Sequence, residues 1–147
     1  MMEERAGEKE GREVSVAELR YLYRAYTERH ALVAEEVKNV ITEKAGFEGA
    51  LATINKMEDV RNRGTLISIG PGIFMKGLVE EEEKVLVNVG GKYIVEKKIE
   101  EARKFLDKRI KGEGEILTGL IREREELESA IMELSYRMEK AQGEQHV

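Results

Sequence analysis

From Leu19 onward, apolar residues recur at alternating spacings of four and three. One series, seven residues apart, reads Leu19, Tyr26, Val33, Val40, Phe47 and Ile54. A second, offset by four, reads Tyr23, His30, Val37, Lys44, Leu51 and Glu58. This alternation predicts a long helix carrying a coiled-coil seam. Ser15 opens it: its hydroxyl can accept a hydrogen bond from the Glu18 N–H while the Glu18 carboxylate reaches back, as in a capping box. Gly64, after Arg61-Asn62-Arg63, is a natural stop, with cations where the helix dipole favours them. A second arm starts near Glu96 to Ile99 and runs toward Ala141. Its series are Ile99, Leu106, Glu113, Leu120, Leu127, Leu134 and Arg103, Ile110, Leu117, Arg124, Ile131, Met138. Each arm spans roughly 42–47 residues, about 60–70 Å at helical rise.

Arms of equal length joined by a short block predict a hairpin of antiparallel helices; the alternative is two helices in a bundle with other chains. Folding back about residue 80 sets Tyr26 near Leu134, Val33 near Leu127, Val40 near Leu120 and Ile54 near Leu106. It also sets Gly46-Phe47-Glu48-Gly49 beside Gly112-Glu113-Gly114. Glycine costs roughly 1 kcal/mol per helical position relative to alanine, so these four glycines with Glu113 on the seam predict a soft hinge midway. Gly112 and Gly114 could equally make room for the Phe47 ring, and both can hold.

Between the arms the period changes to two. Four strands are expected over Thr65–Ile69, Ile73–Val79, Lys84–Val89 and Tyr93–Lys97. Gly70-Pro71-Gly72 makes the first turn, Gly90-Gly91-Lys92 the last, and the four like charges Glu80 to Glu83 the central connection. Ile67, Ile69, Met75, Val79, Val85, Val87, Val89, Tyr93 and Val95 alternate along one face. Leu66, Phe74, Leu78, Leu86 and Ile94 occupy the other. A sheet of four short strands, apolar on both faces, needs cover on both sides and pairing at its edges. Little else in the chain is left to supply it. The strands are therefore expected to join those of other subunits in a barrel or sandwich, making oligomerisation obligate.

Composition narrows the function. Charged residues make up 37% of the 147 residues, aromatics are scarce and Pro71 is the only proline, which suits long helices with thin seams. The net charge of −5 comes from 30 acids and 25 bases finely mixed, with no basic stripe, so nucleic acid is not expected as a partner. The lack of cysteine excludes disulfides and thiolate chemistry and fits a reducing cytoplasm. The opening MMEERAGEKEGRE lacks an apolar h-region, and no run approaches a membrane span, so a cytoplasmic chain without membrane contact is expected. Few Asn and Gln beside many Glu, Lys and Arg is a balance common in hyperthermophile proteins.

Candidate catalytic and metal chemistry is thin. GPGIFMKG lacks the Gly-Lys-Ser/Thr entry of a phosphate loop, and Gly91-Lys92 is followed by Tyr93. Glu80–Glu83 lacks the alternating ligands of a calcium loop and reads as a solvated turn. His30 and His146 have no partner for a metal or triad. The expectation is no enzyme, no metal and no cofactor. The chain reads as one domain: arms over 15–61 and 98–140, hairpins over 65–97, and mobile ends at 1–13 and 142–147.

A coiled-coil arm, two β-hairpins and a second arm, over roughly residues 15–140, closely resemble the alpha-type prefoldins. The similarity is most specific in SIGPGIFMKG and KVLVNVGGKYIVEKKIEEARKFLDKRI. There Ile69, Gly70, Gly72, Phe74, Lys76, Val85 to Val89, Gly90 and Val95-Glu96-Lys97 match an apolar-Gly-x-Gly-x-aromatic-x-Lys segment, a valine strand ending in glycine and a Val-Glu-Lys entry to the second helix. Two hairpins rather than one point to the alpha over the beta type. The resemblance implies an α+β fold whose hairpins join an oligomeric β-barrel. It implies a heterohexamer of two alpha and four beta-type subunits that holds unfolded proteins without ATP and hands them to a group II chaperonin. Assembly would then use Leu66, Ile67, Ile69, Gly70, Gly72, Phe74, Val85, Val87, Val89, Gly90, Tyr93 and Val95. Clients would meet the coiled-coil tips, where Val14, Val16, Leu19, Tyr21, Leu22, Tyr23, Tyr26, Ile131, Leu134, Tyr136 and Met138 gather. Of these, Tyr21, Leu22 and Tyr136 lie off the seam and are expected to stay at least partly exposed, whereas Leu19, Tyr26, Ile131, Leu134 and Met138 are seam positions that packing could consume instead. The competing reading is a structural scaffold or filament module that holds no clients.

Overall fold

A computed structural model describes residues 15–61, 63–80 and 84–145, leaving aside the side chains of Glu144 and Gln145. The elements run α1 (Val16–Asn55), α2 (Met57–Val60), β1 (Gly64–Gly70), β2 (Ile73–Leu78), β3 (Lys84–Gly90), β4 (Tyr93–Lys98) and α3 (Ile99–Gln145). The chain divides into two compact units, one of Met1–Asn39 with Ile116–Val147 and one of Val40–Glu115. Expectations for Val14, for residues 1–13, for 146–147 of the expected end at 142–147, and for Asn62 and Glu81 to Glu83 lie outside the described residues, while α3 continues past the expected arm end at 140 to Gln145.

In the first unit, α1 starts on Ser15, whose Oγ accepts the Glu18 N–H at 3.2 Å while its carbonyl accepts the Leu19 N–H. Leu19, Val33 and Val37 of α1 and Leu134 of α3 are buried, with Val33 wholly enclosed. Charge flanks this seam. Arg29 donates to Glu123 at 2.8 Å, and His30 Nε2 lies 3.1 Å from Glu128 Oε1. The hydrogen bond and charge of Glu123 hold the Arg29 guanidinium above its ordinary pKa, so the cation is never lost.

In the second unit, Val40, Ala102, Leu106 and Glu113 are buried. Arg103 links the helices by donating from Nε to Asn55 Oδ1 at 2.9 Å, and it also pairs with Glu100. A cationic stack runs along the outside: Lys97 lies 5.8 Å from the Phe105 ring, with Arg109 over both Phe105 and Phe47. The His30–Glu128 and Asn55–Arg103 pairs are each symmetric about Val79, one residue from the expected fold-back point.

Three expectations need correction. The first arm does not run unbroken toward Gly64: α1 ends at Asn55, and the Lys56 N–H is shared between the Ala52 and Thr53 carbonyls. Upstream, Thr53 Oγ1 donates back to the Gly49 carbonyl, a bond that tends to bend a helix. Second, Gly112 and Gly114 do not clear space for Phe47. A Cβ at Gly112 would meet nothing within 4 Å, one at Gly114 would meet only Lys44 Cε at 3.9 Å, and Arg109 covers the Phe47 ring. Both helices pass through all four central glycines without a break. Third, the four strands do not make one sheet.

Among the described residues β1 pairs only with β2 and β3 only with β4, giving two separate antiparallel ribbons. They repeat one plan at a 20-residue offset: Gly64 pairs with Leu78 as Lys84 pairs with Lys98, and each register shifts near its turn, at Ser68/Gly70 and Asn88/Gly90. Pro71 and Gly72 (φ 71°) turn the first ribbon, while Gly90 (φ 146°) and Gly91 (φ 57°) shape the second. There Asn88 Oδ1 accepts the Gly90 N–H at 2.9 Å, and its amide nitrogen donates to the Gly91 carbonyl. Neither ribbon closes a core of its own.

Alanine at Gly46, Gly49 or Gly112, where an added methyl meets nothing, is expected to raise stability by about 1 kcal/mol each in chemical denaturation. Alanine at Gly72 or Gly91 is expected to lower it by about 1–2 kcal/mol, because both need positive φ.

Candidate assembly and client surfaces

In the first ribbon, cross-strand pairing gathers Thr65, Ile67, Met75 and Gly77 on one face and Leu66, Ser68, Phe74, Lys76 and Leu78 on the other. Leu66, Ile67, Phe74, Met75 and Leu78 are all exposed, as are Ile69 and Ile73 beside the turn. The second ribbon sets Val85 and Lys97 with Val87 and Val95 on one face, and Leu86 and Glu96 with Asn88 and Ile94 on the other. Val85 and Val87 are half-buried and Val89, Tyr93 and Val95 exposed, while on the opposite face Leu86 is 74% and Ile94 64% exposed. Gly70 is half-buried, and Gly72 and Gly90 lie open at the turns. Apolar side chains thus stand in water on both faces of both ribbons, and among the described residues the edges of each carry no further strand.

The other concentration of exposed apolar groups lies in the first unit, where α1 begins and α3 ends. Tyr21 is 73% and Tyr136 57% exposed; Tyr26 is open to a lesser degree. Val16, Leu22, Tyr23, Ile131 and Met138 are half-buried. Leu19 and Leu134, expected among the client-contacting residues, are instead buried in the seam and present no surface. Met132, 73% exposed and not singled out by the sequence, belongs to this region. Its position beside a seam residue, Ile131, was the available signal. Tyr136 lies under Lys140 at 5.1 Å, and Met138 and Tyr23 both line a shallow depression.

Among the described residues, no group of three or more His, Asp or Glu is placed to hold a metal ion, and no helix is long and apolar enough to cross a membrane. What the surfaces offer is contact area: strand edges with apolar faces in one unit, aromatic and thioether side chains in the other.

Long helices with two antiparallel hairpins inserted between them define a class of coiled-coil assembly proteins, and comparison with known proteins narrows it. Residues 26–144 match the prefoldin subunit family, and the chain belongs to that family. It is of the alpha type, as are its relatives by sequence. The prefoldin alpha subunit of Pyrococcus horikoshii is 28% identical over 129 residues, covering 86% of this chain and 87% of that protein. That of Thermofilum pendens is 33% identical over 86 residues, covering 54% of this chain and 65% of that protein. Among solved structures, the filamentous PFD of Methanocaldococcus jannaschii, determined by cryo-electron microscopy, superposes with a TM-score of 0.54 at 28% identity. That match covers 82% of this chain and 95% of the other. The family is one of chaperones rather than enzymes, and its alpha chains assemble with other prefoldin subunits.

Burial separates two kinds of residue in the first unit. Val33→Ala is expected to cost about 2 kcal/mol in denaturant unfolding, because it empties a fully enclosed site. Tyr21→Ala is expected to change stability by less than about 0.5 kcal/mol.

Proposed function

We propose that this chain is the alpha component of an ATP-independent holding chaperone that captures nonnative polypeptides at its coiled-coil tips. In this reading two copies join four beta-type subunits through their hairpins, and the complex passes its clients to a group II chaperonin. The observation that carries the client role is the exposure of Tyr21, Met132 and Tyr136 where α1 begins and α3 ends, whereas Leu32, Ile41 and Ile116 are exposed farther along the helices. Large apolar groups gathered in this way mark contact sites, and Glu, Lys and Arg around them keep the surface hydrated. Within the proposed tip, Val16, Leu22, Tyr23, Tyr26, Ile131 and Met138 extend the contact area. Fraying of helix ends would uncover Leu19 and Leu134 transiently. Leu66, Ile67, Ile69, Phe74, Val85, Val87, Val89, Tyr93 and Val95 are assigned to assembly. Gly70, Gly72 and Gly90 shape the turns that present them.

A second reading has an observation in its favour: the similar M. jannaschii protein is filamentous. A scaffold or filament of this chain would use the same hairpin surfaces and leave the tips without clients.

Native mass and tip truncation separate these readings, and a charge placed on a hairpin tests the surface that they share. Native mass of the chain with a beta-type subunit is expected to show a hexamer containing two copies; a filament formed regardless of that partner would favour the scaffold. Leu86→Asp, which puts a charge on a face that assembly must bury, is expected to abolish the oligomer while helical circular dichroism persists. Removing residues 1–24 and 135–147 is expected to reduce suppression of client aggregation to background while assembly survives. Suppression that persists without the tips would sink the client site.

A further inference from the structure

At the start of α1, two arginines stand one helical turn apart on one face, among the most exposed aromatic groups of the chain. Arg20 and Arg24 line a shallow depression together with Ala17 and Tyr21. On their other flank they line a second one with Tyr23, Thr27 and Met138. Among the described residues neither arginine takes part in a hydrogen bond or ion pair, although elsewhere on these helices Lys44 pairs with Glu48, Arg124 with Glu128 and Arg137 with Glu133. Like charges at i and i+4 repel and weaken a helix by a few tenths of a kcal/mol. Local charge also inverts. From Val16 to Arg24 and from Glu133 to Lys140 there are four bases (Arg20, Arg24, Arg137, Lys140) and three acids (Glu18, Glu133, Glu139), in a chain whose acids outnumber its bases by 30 to 25.

We propose that Arg20 and Arg24, with Tyr21, Tyr23 and Met138, form a recognition face for acidic, apolar polypeptide segments. This deepens the proposed client role and rests on it. Carboxylates of the bound segment would lie over the two guanidinium groups, which present planar, multidentate donors. Its apolar side chains would enter the depressions on either flank, against the Tyr21 and Tyr23 rings. The site thereby prefers client segments in which Asp or Glu alternates with apolar residues over basic segments of equal hydrophobicity. A polypeptide fits better than nucleic acid. Two arginines without a basic stripe cannot follow a phosphate backbone, and the chain's net charge of −5 opposes one.

The test uses the full chain in its assembled oligomer and two fluorescent peptides of identical leucine and tyrosine content, one with glutamate and one with lysine at the intervening positions. Two exposed ion pairs are expected to give the acidic peptide about a 3- to 10-fold lower Kd at low salt, an advantage that shrinks as ionic strength rises. Arg20→Gln/Arg24→Gln is expected to erase that difference and Arg20→Glu/Arg24→Glu to reverse it. Helical circular dichroism and native mass should be unchanged, because both side chains are exposed. Equal binding of the two peptides, with Tyr21→Ala weakening both, overturns the charge preference but leaves client capture at the tip standing. Failure of both peptides, and of an unfolded protein, to bind at all overturns both. An acidic preference that survives Arg20→Glu/Arg24→Glu places the recognition elsewhere and overturns the site. So does single-stranded DNA that binds through the same arginines and displaces neither peptide.

Discussion

A two-stranded ribbon has two faces and two edges, and folding its own chain shelters none of them. In this protein the difficulty is doubled, because both ribbons carry apolar residues on both sides. An isolated hairpin is at best marginally stable in water, so the ribbons must be held by something else before they can be offered to a partner. The helices supply that hold. β4 passes into α3 without a loop, and Lys97, near the end of the strand, reaches back to the Phe105 ring two turns into the helix. At the other end a short helical turn, Met57–Val60, leads into β1, and Arg61 makes a lone bridge to Val79 just past β2. The hairpins are thus tethered at their bases and bare along their lengths.

The helices manage this with a narrow seam. Only a few apolar side chains are buried in each unit, and much of the remaining contact is Arg, Glu, His or Asn reaching across at the margins. A narrow seam has a corollary for the surface. Each helix has sides that no partner covers, so residues one position off the seam, such as Met132 beside Ile131, face water. Enclosed Val33 and open Tyr21 belong to the same pair of helices, and their roles differ because burial assigns one to cohesion and the other to contact.

Much of this was legible in the heptads. Apart from Ala102, every residue that is buried in the seam lies in one of the predicted series, because a period of 3.5 leaves little freedom about which side chains face a partner helix. Strand positions were readable for a similar reason, since period two and turn glycines act together. What escaped was decided by detail within a turn. Ala102 is buried because α3 steps by three rather than four at its start, as coiled coils do on alternate steps. Asn88 fixes the second ribbon's turn with its own side chain, which hydrophobicity does not report. The separation of the ribbons was missed because alternation says which faces are apolar, not which edges pair. Leu19 and Leu134 belong both to the seam series and to the expected client set, and periodicity alone does not say which use prevails; they are buried in the seam.

The repetition of one ribbon plan at a 20-residue interval has a consequence in the language of polymer chemistry. If each ribbon joins as one unit, a subunit with a single ribbon has one functional group and ends whatever it joins. This chain has two, each carrying the same register and its own open edges, and so is a difunctional monomer. Mixed with monofunctional chains, a difunctional monomer is end-capped and growth stops at a small closed particle. Without them, the same two groups sustain step growth. Under the hairpin-mediated assembly proposed above, particle or fibre would then be a matter of the ratio in which chains are supplied, not of any change in the fold.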